Sequence, residues 1–257
     1  MKAATKRSAR YVAVGLATIP LLAACGGAGG DGRTPADGAG SAASNLRLTI
    51  TTDNGVRLRP ADDDQVGVDP AVAHHWSRQG RTQVLDLSCK GRDHPDRECP
   101  RMPEIDVPAG TSVTVTARNA GIDVAGVSGP LDLTTVNGDV ALAGSGRGDA
   151  TVRLVTRNGS VRATAVHAAA LRARTVNGDV TLGSATAPRR LSARTVNGSV
   201  DVSVPHDSPA YRVTAATDNG RPMITVPDGG ENTGRSGQTD RTMELTTVNG
   251  DVRAARD

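Results

Sequence analysis

Thr134-Thr-Val-Asn-Gly-Asp-Val-Ala-Leu142 decides the fold of this chain, because the chain repeats it. It returns as Arg174-Thr-Val-Asn-Gly-Asp-Val-Thr-Leu182, as Arg194-Thr-Val-Asn-Gly-Ser-Val-Asp-Val202 and as Thr246-Thr-Val-Asn-Gly-Asp-Val-Arg-Ala254. Looser copies are Thr156-Arg-Asn-Gly-Ser-Val161 and Thr217-Asp-Asn-Gly-Arg221, with a degenerate one at Asn119-Ala-Gly-Ile-Asp-Val124. The repeated Asn falls at 119, 137, 158, 177, 197, 219 and 249, in steps of 18, 21, 19, 20, 22 and 30. A fixed period of this size marks one supersecondary unit per repeat, with units that bury their apolar faces against each other. The last step is longer because residues 227–242 form a polar, Gly-rich insertion.

Each unit reads as strand, turn, strand. Leu171, Ala173 and Thr175 alternate with Arg172 and Arg174, and Val180 and Leu182 alternate around Thr181. Period-2 alternation sets small apolar side chains on one face and polar ones on the other. Helical periodicity is absent after residue 45. Two architectures satisfy the pattern. Asn-Gly between alternating runs is a strong hairpin signal, because both residues tolerate positive φ in a type I′ turn. The alternative is a parallel β-solenoid with Asn-Gly at one corner of every coil: the pairs Asn137-Gly138, Asn158-Gly159, Asn177-Gly178, Asn197-Gly198, Asn219-Gly220 and Asn249-Gly250. Stacked coils set like residues above one another at about 4.8 Å, so that Asn side chains can bond up a ladder. Keeping Asn in one slot gains something in the solenoid and nothing in a hairpin array.

The T-V-N-G-D-V string, repeated after Glu104-Ile-Asp-Val-Pro-Ala-Gly-Thr-Ser-Val-Thr-Val115, resembles the adhesin-like lipoprotein family of domains of unknown function built from β-strand repeats. It is similar to the head (GIN) domain of autotransporter adhesins. The resemblance covers about residues 80–254 and departs from the family at the cysteine-bearing loop 89–99 and the insertion 227–242. It implies an all-β, right-handed parallel β-helix, here of about seven coils with repeats of about 20 residues, and it brings no catalytic residue with it.

The chain begins with basic residues (Lys2, Lys6, Arg7, Arg10), continues with an apolar run from Tyr11 to Ala24 and reaches Leu22-Ala23-Ala24-Cys25. This is the layout of a secretory signal. The run is shorter than the about 20 residues that a permanent span needs. Leu-Ala-Ala-Cys resembles the bacterial lipobox, which implies diacylglyceryl transfer to Cys25 and cleavage before it. The expectation is a signal peptide over 1–24, a Gly/Ala/Ser-rich tether over 25–44, an N-terminal β annex or cap over 45–103, and solenoid repeats over 104–257. The expected location is extracytoplasmic, with the membrane reached through the lipid anchor. Two acyl chains hold a soluble domain on a bilayer where one holds marginally.

Composition narrows the function. The chain has no Phe, one Trp and two Tyr, so Val, Leu, Ala and Thr must fill the core. That suits a narrow core repeated many times. The formal charge of +3 owes four of its positive residues to the leader, which leaves the rest near neutral. With no basic block and no interleaved aromatics, nucleic acid is not implied. Cys89 and Cys99 pair outside the cytoplasm or, in the competing reading, join His94 and His74 or His75 on a metal. The spacing matches no common zinc pattern, so the expectation is a disulfide and neither metal nor cofactor. Asp62-Asp63-Asp64 reads as a solvated turn before it reads as a cation site, since no ligand spacing accompanies it.

No catalytic set is expected. His167 and His206 sit singly in different repeats, and the Asp after Asn-Gly recurs at 139, 179 and 251 but becomes Ser160, Ser199 and Arg221 elsewhere. Two functions of different class remain. One is a surface scaffold or adhesin-like binding module, whose outward Arg153, Arg172, Arg174 and Arg194 could meet an acidic cell-wall polymer or an envelope protein. The other is a carbohydrate-active β-helix enzyme of the cell envelope, which would need several acids clustered in a groove.

Overall fold

A computed structural model of the chain describes residues 46–89, 99–227, 229 and 240–257. The expected signal peptide, Cys25, the whole tether, His94 and most of the insertion lie outside the described residues. The body to which the described residues belong, residues 40–257, is one compact unit. The described residues form strands and no helix, so no helix there is long and apolar enough to cross a membrane.

The strands are β1 (Arg47–Thr51), β2 (Val56–Pro60), β3 (Gly67–Val68), β4 (His75–Gln79), β5 (Thr82–Asp86) and β6 (Glu104–Val107). Next come β7 (Ser112–Thr116), β8 (Ile122–Ala125), β9 (Leu131–Thr134), β10 (Val140–Ala143), β11 (Gly146–Val155) and β12 (Val161–Arg174). The last are β13 (Val180–Ser184), β14 (Arg190–Arg194), β15 (Val200–Val204), β16 (Arg212–Asn219), β17 (Pro222–Ile224), β18 (Thr242–Asn249) and β19 (Val252–Arg256). Their pairing is parallel except at one end, where β3 lies antiparallel to β6 and β4 antiparallel to β5. Asn-Gly therefore turns a corner between two faces of a solenoid-like stack. It does not close hairpins, and the open choice between the two architectures is settled by register: Val140 lies beside Val161, Val161 beside Val180, and Val180 beside Val200.

One face runs β4-β5-β1-β7-β9-β11-β12-β14-β18-β16. The other runs β3-β6-β2-β8-β10-β12-β13-β15-β19-β17. Strand β12 serves both: its first half pairs with β10 and β13, its second with β11 and β14. Between the halves sits Ala165, the one non-glycine with positive φ (51°) among the described residues. Alternation fixes the core. Leu131, Val152, Leu171, Leu191 and Met243 form one buried row, and Val140, Val161, Val180, Val200 and Val252 form another across from it. Burying each such side chain is worth roughly 1.5–3 kcal/mol.

Stacking order departs from chain order at both ends. Rung β1/β2 lies between β5/β6 and β7/β8, and rung β18/β19 lies between β14/β15 and β16/β17. Burial explains the second exchange. In β18 and β19, Met243, Leu245, Val252 and Ala254 are fully buried, as a rung with two neighbours requires. In the outermost pair, Val213, Ala215 and Ile224 are only partly buried and Met223 is 49% exposed. Strands β1, β2, β5 and β6 join the same stack and add rungs to those that the Asn positions mark.

Candidate functional site

The corner gives each residue of the repeat a separate task. Asn158 Nδ2 donates to Asn137 Oδ1 at 2.8 Å, Asn177 to Asn158 at 2.9 Å, Asn197 to Asn177, Asn249 to Asn197 and Asn219 to Asn249, the last three at 2.8 Å. The ladder thus runs 137-158-177-197-249-219. Gly138, Gly159, Gly178, Gly198 and Gly250 hold positive φ between 142° and 157°. A Cβ on Gly178 would lie 2.3 Å from the Gly159 carbonyl oxygen, so close stacking requires glycine there. Gly220 shows no such φ but is as crowded, with the Gly250 oxygen 1.9 Å from a built Cβ.

The Thr two residues before Asn is the member whose task the sequence did not disclose. Thr156, Thr175, Thr195 and Thr247 are buried, and their hydroxyls donate to the carbonyls of Gly138, Gly159, Gly178 and Gly198 at 2.8 Å. A hydroxyl inside the corner satisfies a carbonyl that close glycine packing shuts off from water. The position after Gly caps the next rung. Asp139, Asp179 and Asp251 accept from the backbone N–H of Ser160, Ser199 and Arg221 at 2.7, 2.8 and 2.9 Å. Ser160 and Ser199 do the same for Asp179 and Asp251 at 3.3 and 3.2 Å. The Asp ladder is therefore committed to backbone hydrogen bonds.

Cys89 and Cys99 are joined by a disulfide with Cα atoms 6.1 Å apart, which removes both thiolates from any metal site. The bond closes the segment between β5 and β6, at the corner where other rungs carry Asn-Gly. Among Asp62-Asp64, Asp63 Oδ1 accepts from the Gln65 N–H at 2.9 Å, the geometry of an Asx turn. Among the described residues no group of three or more His, Cys, Asp and Glu side chains is placed to hold a metal. His167 and His206 are exposed, on β12 and on the turn after β15.

The four arginines singled out by sequence converge on the outer side of the β11-β12-β14-β18 face. Arg153 and Arg172 are register neighbours, as are Arg174 and Arg194, and Arg172 and Arg174 share one side of β12, which makes a staggered row of four across three strands. Its outer members are tied to acids: Arg153 to Asp132 at 2.7 Å, Arg194 to Glu244 at 3.1 Å and to the Thr246 hydroxyl at 2.9 Å. Among the described residues the inner members, Arg172 and Arg174, have no ion-pair partner. The row lines a shallow hollow of about 280 Å³ with Ser192 and Glu244.

No curated protein matches the chain. A crystal structure of a putative cell adhesion protein from Clostridium sporogenes aligns with 83% of this chain and 93% of its own, at 9% identity and a TM-score of 0.35. Residues 106–254, more than half of the chain, match the model of the family described as Toastrack DUF4097, and the chain belongs to that family.

Proposed function

We propose that this protein is an extracytoplasmic lipoprotein, held on the outer face of the cell membrane through Cys25, whose solenoid is an adhesin-like scaffold that contacts acidic cell-wall polymer. It is not an enzyme in this reading. The observation that carries the contact surface is the arginine row. Two guanidiniums without acids of their own sit between two that are pinned, and the pinned pair keeps the row ordered while the free pair keeps it positive. Arginine forks suit carboxylate and phosphate groups. The rigid stack presents them at fixed spacing, so little ordering entropy is lost on contact. Right-handed winding belongs to the same reading, since short crossovers between parallel strands take that hand, as does kinship with the GIN head and its about seven Asn-marked coils.

Two measurements test it. Cys25→Ser should release the protein from membranes on fractionation, and retention would refute the anchor. Immobilised polygalacturonate should retain the full chain at low salt and lose it as salt screens the contact. The Arg172→Ala/Arg174→Ala double variant should bind at least about tenfold more weakly, a change of about 1.4 kcal/mol. Equal retention of variant and parent would refute the arginine face.

A further inference from the structure

A second surface, at the opposite end of the molecule's logic from the arginine face, has the chemistry of a ligand cleft. The chain has no Phe and a single Trp, and its described Tyr, Tyr211, is fully buried. Among the described Trp and Tyr residues, Trp76 alone is exposed, at 36%. It lies on β4, the outermost strand of its face. Trp76 is opposite Leu85 and Arg78 is opposite Gln83, while Leu85 and Gln83 are register partners of the buried Ile50 and Leu48. Trp76 and Arg78 thus stand on the side of the sheet that faces the core in every inner rung. At this end the described residues add no further rung, and the space between the two faces opens into a cleft of about 500 Å³. Asp64, Gln65 and Val66 line it from the far side, and Trp76, Arg78 and Gln83 from the near side.

The platform is built rather than loose. The His74 ring meets the Trp76 ring edge-on, with centroids 6.4 Å apart and planes at 78°, and His74 Nδ1 lies 2.8 Å from the Val72 carbonyl. The Asx turn at Asp63 shapes the opposing loop. Asp64 and Arg78 line the same cleft without pairing with each other, among the described residues. Each end of the charge pair therefore stays free to bond a ligand. An anion would face Asp64, and a cation would face Arg78. An aliphatic ligand would strand both, together with two amides, at a cost for each unpaired group. A neutral polyol with one apolar face meets every wall: ring C–H groups lie on the indole, and hydroxyls, which both donate and accept, bond the carboxylate, the guanidinium and the amides. The volume falls within the range of about 300–1,000 Å³ that small-molecule sites occupy.

We propose that the Trp76 cleft binds a neutral saccharide, with one sugar ring stacked on the indole and its hydroxyls held by Asp64, Arg78 and Gln83. The test uses the full chain, in which Trp76 is the single indole and its emission reports this cleft alone. Cellobiose, N,N′-diacetylchitobiose and maltose are titrated to millimolar concentrations, with triglycine as the peptide comparison. A saturable change in emission with at least one disaccharide is expected. Asp64→Ala and Gln83→Ala should weaken it by at least about tenfold, with unchanged circular dichroism and melting. Calorimetry on Trp76→Ala should show no binding. Absence of response to all three sugars overturns the proposal. So does a response to triglycine without one to sugar, or a sugar response that persists undiminished in folded Asp64→Ala.

Discussion

A middle rung such as residues 171–184 has a neighbour on each side, whereas the rung at 212–224 has one among the described residues. The middle rung carries the whole motif: a buried Thr175, a doubly bonded Asn177, a flush Gly178 and a capping Asp179. The end rung keeps Thr217 and Asn219 but puts Arg221 in the Asp slot, where the described residues offer no further N–H to cap. At the other end the motif gives way to two antiparallel strands and a disulfide loop. A motif residue persists where it has a rung to bond: Thr217 and Asn219 still reach the one beside them, and the capping Asp is what the end rung gives up. At the ends, where open parallel edges would recruit other chains, different devices replace it.

The corner glycine should show the largest contrast. Gly178→Val drives a Cβ to 2.3 Å from a backbone oxygen at φ 142°, in a place where neither rung can yield. A loss of about 3–5 kcal/mol in denaturant unfolding is expected. Gly148→Ala meets open space within 4 Å and should cost less than about 0.5 kcal/mol. Equal unfolding midpoints for the two variants would break the view that close stacking selects glycine. Core truncation comes next. Leu171→Ala, in a fully buried row, should cost about 3 kcal/mol, and Ile224→Ala, on the half-covered end rung, about 1 kcal/mol. A reversed order would mean that the end at 212–224 is covered in solution.

The middle was legible in sequence because its signals repeat. Strand alternation gave the buried rows, and the recurrence of Asn favoured a ladder, but Asn-Gly alone left hairpin and solenoid open. What decides between them is long-range register, which no local window contains. The exchange of the last two rungs was hidden for a similar reason: both copies carry Asn-Gly, and only the apolar weight of Met243 and Leu245 against Val213 and Ala215 separates an inner rung from an outer one. The arginines could be named, but their staggered row needed β12 between β11 and β14. The Trp76 cleft draws on three separated stretches, around 64–66, 76–78 and 83, none of which carries a motif. The disulfide was expected from compartment, not from spacing, and it stands in for Asn-Gly at its corner.

Tyr211 tests how the end rung is fastened. It is buried just before β16 and donates its hydroxyl to the Pro188 carbonyl at 2.9 Å. Burial raises its pKa above the usual 10, against the opposing pull of nearby Arg241. The unfolded chain thus gives up this proton at lower pH than the folded chain does. The sign follows: its contribution is complete below pH 10 and is lost as pH rises through the raised folded value. Tyr211→Phe should cost about 1–2 kcal/mol at neutral pH, since it strands a buried carbonyl. It should also flatten the fall in stability above pH 10. An unaltered alkaline profile in the variant would assign that fall to other groups.

The smallest contrast is the sharpest comparison of middle and end. Asn177 donates to Asn158 and accepts from Asn197, whereas Asn219 makes one such bond, to Asn249. All of these side chains are exposed, so water competes for each bond and the net worth is at the low end of the usual range. Asn177→Ala should therefore cost about 1 kcal/mol and Asn219→Ala about 0.5 kcal/mol. Hydrogen exchange adds a spatial readout. Because the ladder runs from 197 to 249 and then to 219, Asn219→Ala should loosen the amide of Gly250, which bonds the Asn219 carbonyl at 3.0 Å, before that of Gly198, whose partner is Asn249 at 2.8 Å. If Gly198 responded first, residue 219 would have to follow 197 directly, and the exchange of the last two rungs would be wrong.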